Sequence, residues 1–299
     1  MRLQRRTFLK LSVAGAASAA VAMPPPAAAQ DVTDAERLGV LVDTTKCIGC
    51  RACEAACSEV NHLPEPAEAG DRAVLDTDRT PTTTAYTVVR HAGTNASGED
   101  RFVKRQCMHC VEPACASACL VRALEKTAQG PVRYNADRCL GCRYCMVACP
   151  FGVPQFEYEK AVPYVKKCSF CIERQAQGLE PACTSICPTG ALTFGNRNAL
   201  IEEAKTRIYQ NPDRYVHHIY GEHEVGGTSW MYITDVRFDQ LGLPGGLGTA
   251  PAAGYAQDAL SGVPVVMTVG PALLMGLYRF ASRRDEVAGD RVAAEDHHV

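Results

Sequence analysis

Several chemistries are missing from this chain, and each absence removes a class of function. Lysine and arginine form no long run, and 31 basic against 33 acidic side chains leave a net charge of −2. Nothing therefore points to nucleic acid or another polyanion as a partner. There is no Gly-x-Gly-x-x-Gly fingerprint for a dinucleotide, and no His-Glu-x-x-His for a zinc protease. No Cys-x-x-Cys pair is followed by histidine, so no c-type haem is attached.

Charge is also missing from one long stretch, ALSGVPVVMTVGPALLMGLY from Ala259 to Tyr278. At about 1.5 Å per helical residue, it is just long enough for a bilayer core of roughly 30 Å. Pro264 and Pro271 would kink it, which membrane helices tolerate. It contains no histidine and so offers no ligand to a b-type haem. Asp258 precedes it and Arg279, Arg283 and Arg284 follow. By the positive-inside rule its C-terminal side stays in the cytoplasm and the rest of the protein lies outside. A buried helix of a soluble core is the other reading. At the opposite end, Arg5 and Arg6 in QRRTFLK, an alanine-rich run from Leu11 to Ala22, and MPPPAAAQ with cleavage after Ala29 read as a twin-arginine export signal.

What the chain has in excess is cysteine: sixteen in 299 residues. All fall into four quartets. These are Cys47, Cys50, Cys53 and Cys57; Cys107, Cys110, Cys115 and Cys119; Cys139, Cys142, Cys145 and Cys149; and Cys168, Cys171, Cys183 and Cys187. The first and third show the spacing of bacterial ferredoxins, in which three cysteines of a tight loop hold one cubane and the fourth ligates its neighbour. Gly49 and Gly141 would let backbone amides approach the sulfides, and Pro150 and Pro188 follow their fourth cysteines. Eight disulfides would suit an exported protein, but thiols three residues apart make poor mutual bridges, and disulfides give no reason for fourfold groups. Zinc would prefer two pairs separated by a longer loop, which only the second and fourth quartets offer.

The quartets also repeat. VLVDTTKC before the first and VRYNADRC before the third align as a strand, a turn and a leading cysteine, while CLVRAL from Cys119 and CPTGAL from Cys187 each lead toward a strand. The expected fold is α+β: two pseudo-symmetric dicluster ferredoxin units with insertions, plus a single C-terminal transmembrane helix.

The four quartets in this order, with CMHCVEPAC, CRYCMVACPF and KKCSFC, resemble the four-cluster iron–sulfur subunits of membrane-bound respiratory oxidoreductases, among them the beta subunits of formate dehydrogenase and dimethyl sulfoxide reductase. The export signal, HIYGEHEVGGTSWMYITDV, the single C-terminal helix and the histidine-containing tail are most similar to the periplasm-facing hydrogenase-2 type. The resemblance implies four [4Fe–4S] clusters. One takes Cys47, Cys50, Cys53 and Cys187, the next Cys168, Cys171, Cys183 and Cys57. A third takes Cys107, Cys110, Cys115 and Cys149, and a fourth Cys139, Cys142, Cys145 and Cys119. Relatives that replace one cysteine hold a three-iron cluster; here all sixteen positions are cysteine. Leu120 departs from the pattern by standing where proline usually follows a fourth cysteine, which implies a looser turn at Cys119.

The implied layout is a signal over 1–29, a four-cluster domain over 30–215, an extension and juxtamembrane linker over 216–257, a transmembrane helix over 258–280 and a cytoplasmic tail over 281–299. Within it, Ser58 to Gln106 reads as surface decoration with strands in AYTVVRH and RFVKRQC. NALIEEAKTRI reads as a helix burying Leu200, Ile201, Ala204 and Ile208. His217, His218, Glu222 and His223 read as solvated loop residues, and Gly245 to Gly254 as a linker. Nothing resembles a substrate site, so the expected role is a non-catalytic relay on the periplasmic face of a bacterial inner membrane. Its partners would be hydrogenase catalytic and small subunits and a quinone-reactive membrane subunit. A formate dehydrogenase or other molybdopterin enzyme is the alternative donor. An iron–sulfur enzyme in its own right would want a Cys-x-x-x-Cys-x-x-Cys run, which is absent. Arg51, Arg143, Lys166 and Lys167, beside their cysteines, are expected to raise cluster potentials, so Arg143→Gln should lower one midpoint.

Overall fold

The computed structural model describes residues 37–66 and 71–295; the expected export signal and the last residues of the expected tail lie outside them. The first strand, β1 (Leu38–Asp43), ends in a 3-10 turn, Thr44–Lys46, capped by the Asp43 carboxylate, which accepts from the Thr45 amide at 3.1 Å. Helix α1 (Ala52–Val60) follows. Strands β2 (Val88–Thr94) and β3 (Asp100–Arg105) form an antiparallel hairpin with a bulge between His91 and Thr94. Next come α2 (Ala114–Ser117), the hairpin of β4 (Leu124–Lys126) and β5 (Val132–Tyr134), and α3 (Tyr144–Ala148). Two-residue strands β6 (Gln155–Phe156) and β7 (Val165–Lys166) pair before α4 (Ile172–Ala176) and α5 (Ala182–Ser185). The chain ends with β8 (Leu192–Asn196), α6 (Arg197–Gln210), β9 (Trp230–Ile233) and α7 (Ala252–Glu295).

The largest sheet has the order β8–β1–β9. Its central strand, β1, runs antiparallel to β8, Leu38 opposite Asn196, and parallel to β9, Val40 opposite Trp230. Sandwiched on both faces, β1 is apolar at every position from Val40 to Val42, as a central strand must be. Alternation sends Leu41, Met231 and Ile233 to one face, where Leu200, Ile201 and Ala204 of α6 cover them. That helix is amphipathic as its sequence predicts, and each buried leucine or isoleucine contributes about 1.5–3 kcal/mol. Val40, Val42, Trp230 and Tyr232 turn to the other face and meet the cysteines. Residues 216–257 thus supply a strand to the central sheet.

The segment Ser58 to Gln106 is not surface decoration. Val89, Phe102, Val103 and Lys104 are buried, and Phe102 packs with Leu75 and Val89 against Cys47 and Cys53. The reason is volume: a short Cys-x-x-Cys-x-x-Cys loop has few apolar side chains of its own, and the hairpin supplies them.

Helix α7 begins at Ala252, before the expected linker has ended. The Ser117 hydroxyl donates to the Ala253 carbonyl at 3.1 Å, the Val225 amide donates to Gly248 at 3.0 Å, and Pro251 sits against Gly226. Beyond this seat, Gly262–Arg284 is the one helix among the described residues that is long and apolar enough to cross a membrane, and none of its apolar window is buried.

Candidate iron–sulfur centres

Two loops of the same shape carry the first and third quartets. In each, a capped 3-10 turn delivers the leading cysteine in extended conformation, Cys47 at φ −76°, ψ 123° and Cys139 at φ −75°, ψ 124°. A left-handed glycine lies two residues on, Gly49 at φ 68° and Gly141 at φ 69°. The Gly141 amide donates to the Cys139 thiol at 3.4 Å. Left-handed arginines end the loops, Arg51 and Arg143, both at φ 61°, ψ 8°. That conformation costs a residue with a side chain roughly 1–2 kcal/mol, and each arginine is held differently. Buried Arg51 donates twice to Glu54, at 3.0 Å each, and Glu54, itself 2 % exposed, also takes Arg79 at 2.6 Å and the Val89 amide. Arg143 is exposed and lies over Phe156 and Tyr158, 5.6 and 5.5 Å from the ring centroids.

The other two quartets also share a local plan. Pro113 and Pro181 start the single-turn helices α2 and α5, which bury Cys115 and Cys183. Left-handed His109 and Phe170 stand inside the preceding Cys-x-x-Cys pairs. After three of the fourth cysteines the chain makes one type of turn: Arg122, Gly152 and Gly190 donate back to Cys119, Cys149 and Cys187 at 3.1, 3.1 and 3.4 Å, all with positive φ. Leu120 therefore does not loosen its turn. The Ala123 amide reaches the Cys119 thiol at 3.2 Å, and Leu120 itself is exposed.

No cysteine is in a disulfide. Burial pushes the Cys47 and Cys145 thiols up to about 11 and those of Cys57 and Cys115 up to about 12. Redox-active thiols need the opposite shift; here a metal must displace the proton. The neighbours that add to these rises show which thiols stand together. After burial, Cys47 responds to Cys187 and Cys50, Cys57 to Cys183 and Cys171, Cys110 to Cys107, Cys115 and Cys149, and Cys145 to Cys119, Cys142 and Cys139. Charge on one group is also felt by the next, through Cys53 and Cys183, Cys168 and Cys107, and Cys115 and Cys145.

Among the described residues no three His, Cys, Asp or Glu side chains close on a single metal ion. Cys47, Cys50, Cys53 and Cys187 instead line one open hollow, whose wall also includes Val42, Val89, Leu192, Arg51 and Lys104. A donor set of four thiols around a mostly apolar cradle fits an iron–sulfur cluster, whose ligands are cysteine thiolates. Amides add to the fit: those of Val153, Phe151 and Gly152 point at the Cys149 thiol, opposing the upward push of burial.

Of the cysteine-adjacent charges, Arg51 lines the first thiol group and pairs with Glu54, which it shares with Arg79. Arg143 is exposed, and Lys166 lies 3.8 Å from Glu157. Lys167 is buried, donating to the carbonyls of Val132 and Cys168. The side chain that sequence reasoning missed is Lys104, 2 % exposed in β3. Its one sequence signal is that it shares a strand face with Phe102. The exposed His218 bonds Glu224 at 2.6 Å, and His217 the Pro212 carbonyl at 2.9 Å.

Residues 99–197 match the family model of the 4Fe-4S dicluster domain. The chain is similar to a protein of Nitratidesulfovibrio vulgaris, 46 % identical over 97 % of this chain and 80 % of that one. It is also similar to the hydrogenase-2 operon protein HybA of Escherichia coli O157:H7, 37 % identical over 81 % and 84 %. The iron-sulfur subunit of the nitrate-inducible formate dehydrogenase of Escherichia coli K12 is 36 % identical over 72 % and 74 %.

Proposed function

The chain belongs to the ferredoxin-like iron–sulfur subunits of respiratory oxidoreductases, and on that premise we propose that it relays electrons through four [4Fe–4S] clusters, between a periplasmic catalytic subunit and a quinone-reactive membrane partner. It is an electron-transfer subunit of a hydrogenase or formate dehydrogenase type of complex, not a catalytic one. When bound, the clusters supply one-electron donor and acceptor sites.

We assign the ligands as Cys47, Cys50, Cys53 and Cys187; Cys57, Cys168, Cys171 and Cys183; Cys107, Cys110, Cys115 and Cys149; and Cys119, Cys139, Cys142 and Cys145. The observation that carries this assignment is that Cys187 joins Cys47, Cys50 and Cys53 around one hollow, across the quartets of the sequence. The pairing of β1 with β8 around one pair of groups, and of β5 with β4 around the other, supports two pseudo-symmetric units. Residues 30–215 would carry all sixteen ligands, with Trp230–Ile233 completing their sheet.

Exposure supports a direction. Cys50 and Cys142, one from each terminal group, are the exposed thiols. The seat of α7 on α2, which carries Cys115, favours the Cys142 end as the membrane side and the Cys50 end as the catalytic side. The bare apolar surface of Gly262–Arg284 and the three arginines at its end support a single span with the tail in the cytoplasm, and the Arg5–Arg6 signal supports export in the folded state. The similarity to the hydrogenase-2 operon protein favours hydrogenase as the catalytic partner, with formate dehydrogenase the second reading.

Anaerobic purification with its partners tests this. The chain should carry about sixteen irons, and the complex should reduce a dye with hydrogen rather than formate. Far less iron, or thiols bonded to each other, would sink the reading. Activity with formate alone would reassign the partner.

A further inference from the structure

Lys104 has no carboxylate within ion-pairing distance among the described residues, although it is almost wholly buried. Its ammonium donates to the Gln106 side-chain oxygen at 2.9 Å and lies 4.4 Å from the centre of the Trp230 ring. A cation–π contact and one amide do not repay the desolvation of a buried charge. The compensation must come from cysteine. Lys104 lies on the wall of the cradle formed by Cys47, Cys50, Cys53 and Cys187. Its charge is also felt by Cys57, Cys168, Cys171 and Cys183, the neighbouring group.

The geometry points to Lys104 as a shared positioning charge: one ammonium, inserted by the β2–β3 hairpin between two ligand groups, that raises the reduction potential of both clusters together. It rests on the cluster assignment proposed above. A charge fixed in a water-poor space favours the more anionic, reduced state of whatever it faces. Cys110 and Cys115 of the third group face Lys126 and Lys167 instead, so the potential there is set by other charges. Gln106 holds the ammonium in place and is itself fixed by a 2.8 Å bond to the Tyr232 hydroxyl.

Two variants separate charge from packing. Lys104→Gln removes the ammonium. Gln106→Glu is nearly isosteric and puts a carboxylate beside the intact lysine. Redox titration of the purified complex, followed by electron paramagnetic resonance, should show two of four transitions moving to lower potential in both variants. The reduction equilibrium should change at least tenfold for each, about 59 mV for a one-electron couple, while the other two transitions stay in place. If Lys104→Gln fails to retain iron, Gln106→Glu decides alone. Unmoved midpoints in Gln106→Glu, or an equal shift of all four, would overturn the proposal. Iron is counted first: a wild-type chain without about sixteen irons refutes the cluster assignment, whereas a loaded chain with unmoved midpoints refutes only the role of Lys104.

Discussion

His109 and Phe170 stack with ring centroids 5.0 Å apart, and each is the left-handed residue inside its own Cys-x-x-Cys pair. One pair belongs to the second quartet and the other to the fourth, so this contact is where the two halves of the thiol row meet. Phe170 is 1 % exposed and also packs on Trp230 and Phe194. Truncating it to alanine should cost about 3–5 kcal/mol. Under anaerobic denaturant, Phe170→Ala should lose its visible absorbance much sooner than Phe170→Leu. Equal lifetimes would show that the ring is not what joins the halves.

The two ferredoxin-like loops should differ in their tolerance of alanine. A Cβ on Gly49 would come within 2.7 Å of the Phe102 ring, whereas on Gly141 its nearest neighbour is Phe156 at 3.5 Å. Both positions have positive φ, so strain is common to the two and the clash belongs to one. Gly49→Ala should lose about four of roughly sixteen irons, while Gly141→Ala keeps nearly all. Iron and sulfide analysis of the two variants checks this.

Loading should depend on pH in a defined direction. Burial raises Cys47 and Cys145 to about 11 and Cys57 and Cys115 to about 12. These thiols are therefore protonated in the metal-free chain at neutral pH, and iron must expel the protons. The stability that the raised thiols lend the metal-free fold is present below their ordinary value of about 9 and is lost as pH rises through 11 to 12. Anaerobic reconstitution should accordingly speed up from pH 7 to pH 9. A slower rate at pH 9 would mean that deprotonation does not limit assembly.

A chain ending at Ser261 should be released from membranes with its iron intact. Such a truncation keeps the Ser117–Ala253 bond and the seat at Gly226 but removes Gly262–Arg284. Fractionation followed by iron analysis reads both properties at once. Retention in the membrane fraction would place the anchor elsewhere.

Much of the site was legible because ligand chemistry imposes spacing. Repeated three-residue cysteine spacing suits a common centre, and strand–turn–cysteine patterns repeat at Asp43 and Asn135, each of which caps its turn. The helix over Leu200, Ile201 and Ala204 was legible from periodicity. The strands of the β2–β3 hairpin were legible in AYTVVRH and RFVKRQC, but their role was not, because it depends on what the hairpin covers: Phe102 and Val89 pack against Cys47 and Cys53. Arg51 and Arg143 look identical in sequence and have the same backbone angles, but only Arg51 has a Glu54 three residues on to pair with. Proximity along the chain is a poor guide to electrostatics when the deciding partner arrives from another hairpin.

The pairing of β1 with β8 governs the timing of assembly. Cys107 through Cys149 lie within a short stretch and can come together while the ribosome is still working. Cys47 and Cys187 must wait until Leu192–Asn196 has emerged and paired with Leu38–Val42. The first strand of the sheet is thus synthesised early and locked late.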